Sequence, residues 1–459
     1  MDKKQLQYLL DLGLSTGADF SELYIEDTTS NIMEMTLGKI SNVSSSNIHG
    51  VAVRLLKGVE EVYAYNNDSS YEGIEALVKQ AASSFNSNKE YEAKELVEVE
   101  YENLTPVEIS PNSVSNDEKK KFLLEATNGA LSVGEDIKQV ISNFTDVEQN
   151  VLIVNSNGVY AKDTRTNCRL SVSAVAQNGT KTQTASNNTG RNMGIEFFND
   201  INFFDFGKEV GEAAKMMLYA DECKSGKMTV VVHNAFGGVL LHEACVHSLE
   251  ATSVAKGLSV FTNKIGQKIA SDIVTAVDDG TLKNYWGSLN VDDEGKRTQR
   301  NVLIENGVLK SYLVDYKNSR KMNHPTTGSG RRQSYKYSPT SRMTNTFFEN
   351  GSSTFEEIIE ATEYGLFAKK MGGGSVNPIT GEFNFNVSEG FLIENGKITK
   401  PVRGCTLVGS GAEVLMNIDM IANNLSTGHG MCGSASGSIP TDVGQPTIRV
   451  QNMTVGGRG

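Results

Sequence analysis

Six consecutive residues near the middle of the chain, His242-Glu243-Ala244-Cys245-Val246-His247, constrain the fold more than any other stretch. Two neutral imidazoles this close in sequence can hold one divalent metal ion. The Glu beside the first, too near to be a comfortable third ligand, is then placed to act as general base on a metal-bound water. The chemistry implied is hydrolysis. The spacing also restricts the backbone. The usual zinc-protease motif separates its histidines by about four positions, whereas five steps along a regular helix leave His242 and His247 about 140° apart. Both face one ion only where the turn is widened, and a π-type bulge is the simplest device. A buried or capping pair of histidines is the competing reading.

A metal needs further ligands. His429-Gly430-Met431-Cys432 lies in a Gly- and Ser-rich segment, 428–437, whose flexible backbone can bring a thiolate to an ion held elsewhere, and Cys432 is the favoured third ligand. A small buried thiol is the alternative for Cys432. His429 can serve as a ligand but reads better as a loop residue. Cys245 projects about 60° from His242 and about 160° from His247 on a regular helix, which suits packing. His49, His233 and His324 lie among turn residues and carry no assigned chemistry. Asp278-Asp279-Gly280 and Asp292-Asp293-Glu294 could coordinate a hard cation, yet Asp-Asp-Gly is first a turn sequence. In the loop Gly328-Ser329-Gly330-Arg331-Arg332, the two arginines are candidate substrate-binding residues that could hold a carboxylate by bidentate contacts; an exposed, merely solvated pair is the alternative.

The fold class expected is α+β in two parts: an N-terminal α/β region with an antiparallel sheet, and a β-rich C-terminal domain carrying the metal-site helix. Leu6, Leu9 and Leu10 mark an opening amphipathic helix. Strand-like stretches follow at 22–26, 32–37, 50–56 and 62–65, then a helix from Tyr71 to about Ala93. A polar passage, 94–116, reads as a connection and a possible sub-boundary. A helix over about 117–135 precedes strands at 139–143, 150–155 and 168–176, with an Asn157-Gly158 turn. Residues 178–192, rich in Asn, Thr and Gly, read as a mobile loop, and a further helix covers about 206–219. Lys224-Ser225-Gly226 marks the boundary between domains at 1–223 and 224–459. Beyond it, Met228–Val232 suits a buried strand, and His233-Asn234 a helix N-cap for the motif helix. Leu303-Ile304-Glu305-Asn306-Gly307 recurs as Leu392-Ile393-Glu394-Asn395-Gly396, two hairpins with Asn-Gly turns, and 447–455 adds a strand.

The chain is 459 residues long, enough for about three domain-sized units. Its net charge of −12 opposes the phosphate attraction on which non-specific nucleic-acid binding rests, so direct DNA binding is disfavoured. The N-terminus lacks a long apolar stretch with a small-residue cleavage site, and no run is long enough to span a bilayer. Five cysteines, widely spaced and without a Cys-x-x-Cys pair, suit reduced thiols in a cytoplasmic protein.

Six stretches together resemble the TldD subgroup of the TldD/PmbA family, formerly called modulators of DNA gyrase. They are Leu240-Leu241-His242-Glu243-Ala244, Val277 to Leu282, Gly287 to Gly295, Gly328 to Arg332, Arg342-Met343-Thr344-Asn345-Thr346, and Val443-Gly444-Gln445-Pro446 with Thr454 to Gly457. The resemblance covers nearly the whole chain and is strongest after residue 224. It implies a cytoplasmic zinc peptidase acting on unfolded or extended peptides, with Zn2+ held by His242, His247 and Cys432 and with Glu243 as the catalytic glutamate. It also implies a dimer, either a homodimer or a heterodimer with a TldE/PmbA-like paralogue that lacks the motif, with peptide threaded between subunits. One departure stands out. The family pattern H-E-A-x-G-H-G-L-E has glycines where this chain has Val246 and Ser248, and a β-branched Val stiffens the widened turn that Gly would ease. The alternative function is a non-catalytic modulator of a partner such as DNA gyrase or a toxin–antitoxin component. A closed site with His429 or Glu250 as fourth ligand would favour it.

Overall fold

The structure, a computed structural model, describes residues 1–87, 91–377 and 380–457. Its first helix, Lys3–Leu14, is set by a capping box in which the Asp2 carboxylate accepts from the Gln5 amide while the Gln5 side chain accepts from the Asp2 amide. Leu6, Leu9, Leu10 and Leu14 fall on its buried side, as the helical period requires. The helix expected from Tyr71 to about Ala93 is shorter, Tyr71–Ala82, with residues 88–90 lying outside the described residues. The two remaining expected helices are Asn116–Leu131 and Phe203–Tyr219, capped by the Ser115 and Asn202 side chains.

The strand stretches at 22–26 and 32–37 are one strand, Phe20–Thr36, and those at 139–143 and 150–155 are one strand, Ile137–Asn155. Polar residues between the apolar runs do not interrupt them, because the backbone there is paired. Asp27 to Asn31 lie opposite His49 to Ser45 of the strand Lys39–Lys57 on one side and Asn150 to Asp146 on the other. The expected mobile loop at 178–192 is corrected in the same way. Lys181–Asn192 is a strand antiparallel to Val159–Asn178, and only Ala185, Gly190 and Asn192 turn inward, too few to show a period in sequence.

Along this sheet the order is Glu60–Asn66, Lys39–Lys57, Phe20–Thr36, Ile137–Asn155 and Val159–Asn178, with Lys181–Asn192 and the short Val97–Glu98 both on the last. Odd-numbered residues of Phe20–Thr36 meet the helices: Leu23 under Lys3–Leu14 and Tyr71–Ala82, Met33 and Met35 under Asn116–Leu131 and Phe203–Tyr219. Even-numbered Tyr24 faces the other way, toward Val291 and Tyr335 of the C-terminal part. Period-two alternation therefore decides which face takes the helices and which takes the second half of the chain.

In that second half, Tyr364–Val376, Gly226–Val232, Ile448–Gly456, Thr406–Ser410 and Glu382–Glu394 pair in turn, and the last pairs back with the first to close a barrel. Closure leaves no open edge within that ring. A second sheet runs Val308–Leu309, Arg300–Glu305, Ala276–Asp279, Asn345–Phe348, Gly437–Gln445 and, at its edge, Ser426–Ser434. The expected hairpin turns are present, with φ of 49° and 78° at Asn306-Gly307 and 52° and 69° at Asn395-Gly396. The chain is thus α+β, with the helices gathered toward the N-terminal half and the sheets richest in the C-terminal half.

Two acidic stretches are tied into the fold. Asp278-Asp279 ends the central strand Ala276–Asp279, and the expected turn follows it at Gly280-Thr281, where Asp279 accepts from the Thr281 amide and hydroxyl. Within the strand, Asp278 accepts from the Thr344 amide and from the Thr344 and Thr346 hydroxyls while burial pushes its pKa up to about 6. Asp292-Asp293-Glu294 is buried at the seam between the two halves. Asp293 pairs with Arg165 at 2.6 Å and Glu294 with Arg54 at 2.6 Å, while Arg332 reaches back to Glu22 at 2.6 Å. A hard cation is not needed to explain these carboxylates. Among the described residues no helix is long and apolar enough to cross a membrane, and the five cysteines are free and buried.

Candidate metal centre

The strand Gly226–Val232 delivers the chain to the motif, but His233-Asn234 does not cap the helix as expected. His233 Nδ1 lies 3.0 Å from Thr447 Oγ1 and the Asn234 amide donates to the Asn424 carbonyl, so both side chains are engaged elsewhere. Ala235, at φ 56°, instead turns the chain into a 3-10 turn, Phe236–Gly238, that runs on into the helix Val239–Ala244. The helix then stops. Cys245 adopts φ −127° and ψ −59°, and Val246–Leu249 forms a second 3-10 turn. The widened turn is therefore a break from α to 3-10 geometry and not a π bulge. The step at Cys245 supplies the rotation, leaving Val246 buried as the first residue of the 3-10 turn. His242 and His247 are brought to a ring-centre separation of 4.8 Å at 85°.

Cys432 comes from the far side of the sequence. The segment expected to be flexible is a hairpin, Ser426–Ser434 against Gly437–Gln445, with Cys432 opposite Ile439. Its Sγ lies 3.2 Å from His242 Nε2 and 3.4 Å from His247 Nε2, and the three donor atoms lie within 4.8 Å of one another. For a tetrahedral zinc ion with bonds of about 2.0 Å to nitrogen and about 2.3 Å to sulfur, the N···S edge is about 3.5 Å. Both N···S spacings are within a few tenths of an ångström of that, and two imidazoles with a thiol are a zinc donor set. The residues fit the ion.

The carboxylates are arranged around this cluster. Glu243 Oε2 is 3.7 Å from His247 Nε2, with its side chain 26% exposed, and Glu250 Oε2 is 3.2 Å from His247 Nδ1. Burial raises the Glu243 pKa, with His247 opposing the rise. Burial also pushes His242 well below the usual imidazole value, keeping it neutral, as a ligand must be. His247 moves the other way: burial disfavours its charge, but Glu250 and the Cys432 thiol outweigh that and raise its pKa. Cys245 is fully buried, its thiol pushed up to about 12, and packs in the core.

Neither candidate fourth ligand joins the cluster. Glu250 stands behind His247, on the ring nitrogen away from Cys432. His429 is held by Asp442 Oδ1 at 2.8 Å and lies 3.3 Å from Arg191 of the N-terminal half. The loop arginines are also elsewhere engaged. Arg331 is buried and donates to the Met343 and Pro440 carbonyls; Arg332 is buried against Glu22 and the Asp293 carbonyl, over the Tyr24 ring. Arg332 crosses the seam between the halves while Arg331 bonds within the C-terminal half, and both are buried, which overturns the alternative of an exposed, merely solvated pair and leaves neither guanidinium free to hold a carboxylate from solvent. The residue that sequence reasoning gave no role is Arg342. It is fully buried, donates to the Cys432 carbonyl and lies 3.9 Å from Glu250. Its place in one of the six family-like stretches was the available signal, but nothing in its spacing pointed to the histidines.

A cleft of about 910 Å3 opens between the N-terminal strand Lys181–Asn192 with the helix Phe203–Tyr219 and the C-terminal barrel. Phe236-Gly237 and Thr427 to His429 line it, so its wall is made by the start of the His-bearing segment and by the Cys-bearing strand, although the three donors do not themselves line it.

Two imidazoles facing a strand-borne thiol, beside a carboxylate, make a candidate metal centre on this α+β scaffold. Three family models match along the chain: PmbA/TldA metallopeptidase domain 1 over residues 21–85, the central domain over 109–218 and the C-terminal domain over 225–457. The chain belongs to the PmbA/TldD family. The metalloprotease TldD homologue of Buchnera aphidicola is 36% identical over 455 residues, covering 96% of this chain and 93% of the relative. The zinc metalloprotease TldD homologue of Saccharolobus solfataricus is 29% identical, with 63% of this chain and 64% of the relative covered. Two crystal structures share the fold. One, described as a candidate modulator of a DNA gyrase from Thermotoga maritima, has a TM-score of 0.81 at 22% identity over 99% of each chain. The other, TldE from Thermococcus kodakarensis, has a TM-score of 0.77 at 19% identity, covering 98% of this chain and 99% of its own.

Proposed function

We propose that this protein is a cytoplasmic zinc peptidase that hydrolyses extended or unfolded peptides, with His242, His247 and Cys432 as the metal ligands and Glu243 as general base. The observation that carries the reading is the convergence of two Nε2 atoms and one Sγ at zinc-ligand spacing with the Glu243 carboxylate 3.7 Å from one of them. A zinc ion held there would polarise the scissile carbonyl and make water acidic enough to attack near neutral pH. Glu243 takes the proton of the attacking water and returns it to the leaving amine, a role that a carboxylate with a raised pKa performs better than an exposed one. With three protein donors the ion would stay accessible to substrate, as in catalytic rather than closed structural sites. That favours catalysis over a purely modulatory role.

The substrate class follows from the edge. Cys432 lies on the outermost strand of its sheet, and a peptide whose backbone is free can add to such an edge by main-chain pairing, whereas a folded domain cannot. The fold shared with a TldE supports a dimer, either with a second copy or with a TldE/PmbA-like paralogue. In this reading the chain divides at 223/224, with the C-terminal part carrying the ligands. Metal analysis tests the centre: the protein isolated under mild conditions should carry about one zinc per chain, and Cys432→Ser should lose it. A Cys432→Ser protein that binds zinc as tightly as the parent would show the third ligand to be misassigned.

A further inference from the structure

The two elements that meet at the metal centre come from distant parts of the sequence, and each ends irregularly there. The histidines sit on a helix broken at Cys245, and the cysteine on an edge strand whose one sheet neighbour is Gly437–Gln445. Zinc ligands must hold their spacing to within about half an ångström, so something has to fix helix against strand. The described residues supply one continuous connection. Glu250 Oε2 meets His247 Nδ1 at 3.2 Å, and the other oxygen of the same carboxylate, buried and without a hydrogen bond, lies 3.9 Å from Arg342 Nε, which is also buried and without one. The remaining nitrogens of Arg342 hold the hairpin: Nη2 donates to the Cys432 carbonyl, and Nη1 to Ser436 Oγ and the Gly437 carbonyl, each at 2.9 Å.

We infer that Glu250 and Arg342 are positioning residues that together set the distance between the imidazole pair and the Cys432 thiol, an inference that rests on the metal-site reading above. A buried Arg serving only to cap a hairpin needs carbonyl acceptors, and Arg342 has them. It does not need a buried carboxylate whose second oxygen is committed to the ring of a candidate ligand. The planar fork of Arg turns Nη1 and Nη2 to the hairpin acceptors while Nε faces the carboxylate, which the point charge of Lys cannot do. Glu250 also fixes which nitrogen of His247 is free to face the metal, because Nδ1 carries the proton that bonds to the carboxylate.

The test is metal binding rather than turnover. Zinc affinity is measured by competition with a chromophoric chelator in the parent, Arg342→Lys, Glu250→Gln and the double variant, alongside the absorption spectrum of each protein loaded with Co2+. Each single variant should bind zinc roughly 10- to 100-fold more weakly, the usual cost of losing a partner behind a ligand. The double variant should lose little more than the weaker single, because both act on one frame. Arg342→Lys should weaken the thiolate-to-cobalt charge-transfer band, while Glu250→Gln should keep it and lose affinity. Parental zinc affinity and spectrum in the variants, with only a lowered thermal midpoint of the metal-free protein, would overturn the inference; so would additive losses in the double variant. Should Arg342→Lys not fold, Glu250→Gln and Ser436→Ala decide, and parental affinity in both refutes the frame. A parent that binds no zinc, or a Cys432→Ser variant that binds it as tightly, refutes the underlying metal-site reading and this inference with it; parental binding by the variants alone refutes only the inference.

Discussion

Replacing Glu243 with Gln separates catalysis from binding. The amide keeps the size of the side chain and can still hydrogen-bond, but it cannot accept a proton from water. The group lies 3.7 Å from His247 Nε2 and its side chain is 26% exposed, so it borders both the ligand cluster and solvent. Among the described residues it makes no hydrogen bond to His242 or Cys432, and the 3.2 and 3.4 Å separations involve the imidazoles and the thiol themselves. Zinc content and peptide affinity should therefore persist. Loss of a general base typically costs about 10²- to 10⁴-fold in rate, which is about 3–5 kcal/mol on the barrier. The assay measures zinc by elemental analysis and turnover of an unstructured peptide on the same preparation, so that metal loss cannot pass for a catalytic defect. If Glu243 only orients His247, zinc should weaken while turnover per bound zinc changes little. A zinc-replete Glu243→Gln protein with parental turnover would refute the mechanism while leaving the family assignment untouched.

Three further outcomes follow from the structure. Arg165→Met should destabilise the protein by about 3–5 kcal/mol in denaturant unfolding, because Asp163 and Asp293 are left buried and unpaired at the seam; a loss under about 1 kcal/mol would show the network to be hydrated. Gly411→Ala should cost about 1–3 kcal/mol and weaken zinc binding, since a Cβ there would lie 1.7 Å from the carbonyl of Ala244, the last helical residue before the Cys245 break. Gly373→Ala, whose Cβ meets nothing within 4 Å, should do neither. Burial, with Asp315, Asp292 and Glu22 adding to it against Arg54, raises the Glu294 pKa. The folded chain then holds a proton that the unfolded chain releases above the ordinary glutamate range, so stability contributed by this group falls as pH rises from there through neutrality. Thermal midpoints between about pH 5 and 8 should decline more steeply in the parent than in Glu294→Gln; equal slopes would contradict the raised pKa.

The helices and hairpin turns were legible because they depend on local chemistry. The Asp2, Ser115 and Asn202 caps, the leucine spacing of the first helix and the two Asn-Gly turns each act over a few residues. The strand Lys181–Asn192 was not legible, because an Asn- and Thr-rich segment carries no apolar alternation and is ordered by its neighbour. Nor was the continuity of Phe20–Thr36, whose polar middle is held by pairing on both sides.

The candidate site divides along the same line. His242, Glu243 and His247 are neighbours in the chain, so sequence alone dictated that two imidazoles and a carboxylate would share a small volume, and that both imidazoles could face one ion only if the helical turn between them were widened. It also made Cys432 the preferred third donor by chemistry. What form the break takes, and that Cys432 arrives on a rigid edge strand, were decided by packing across 185 residues of separation. So was the burial of Arg332 as a strut of the seam, of Arg331 within the C-terminal half, and of Arg342 and Glu250 beside the donors. Local spacing determines which groups can meet; long-range burial determines which charges must pair, because a guanidinium removed from water has to find its acceptors wherever the fold puts them.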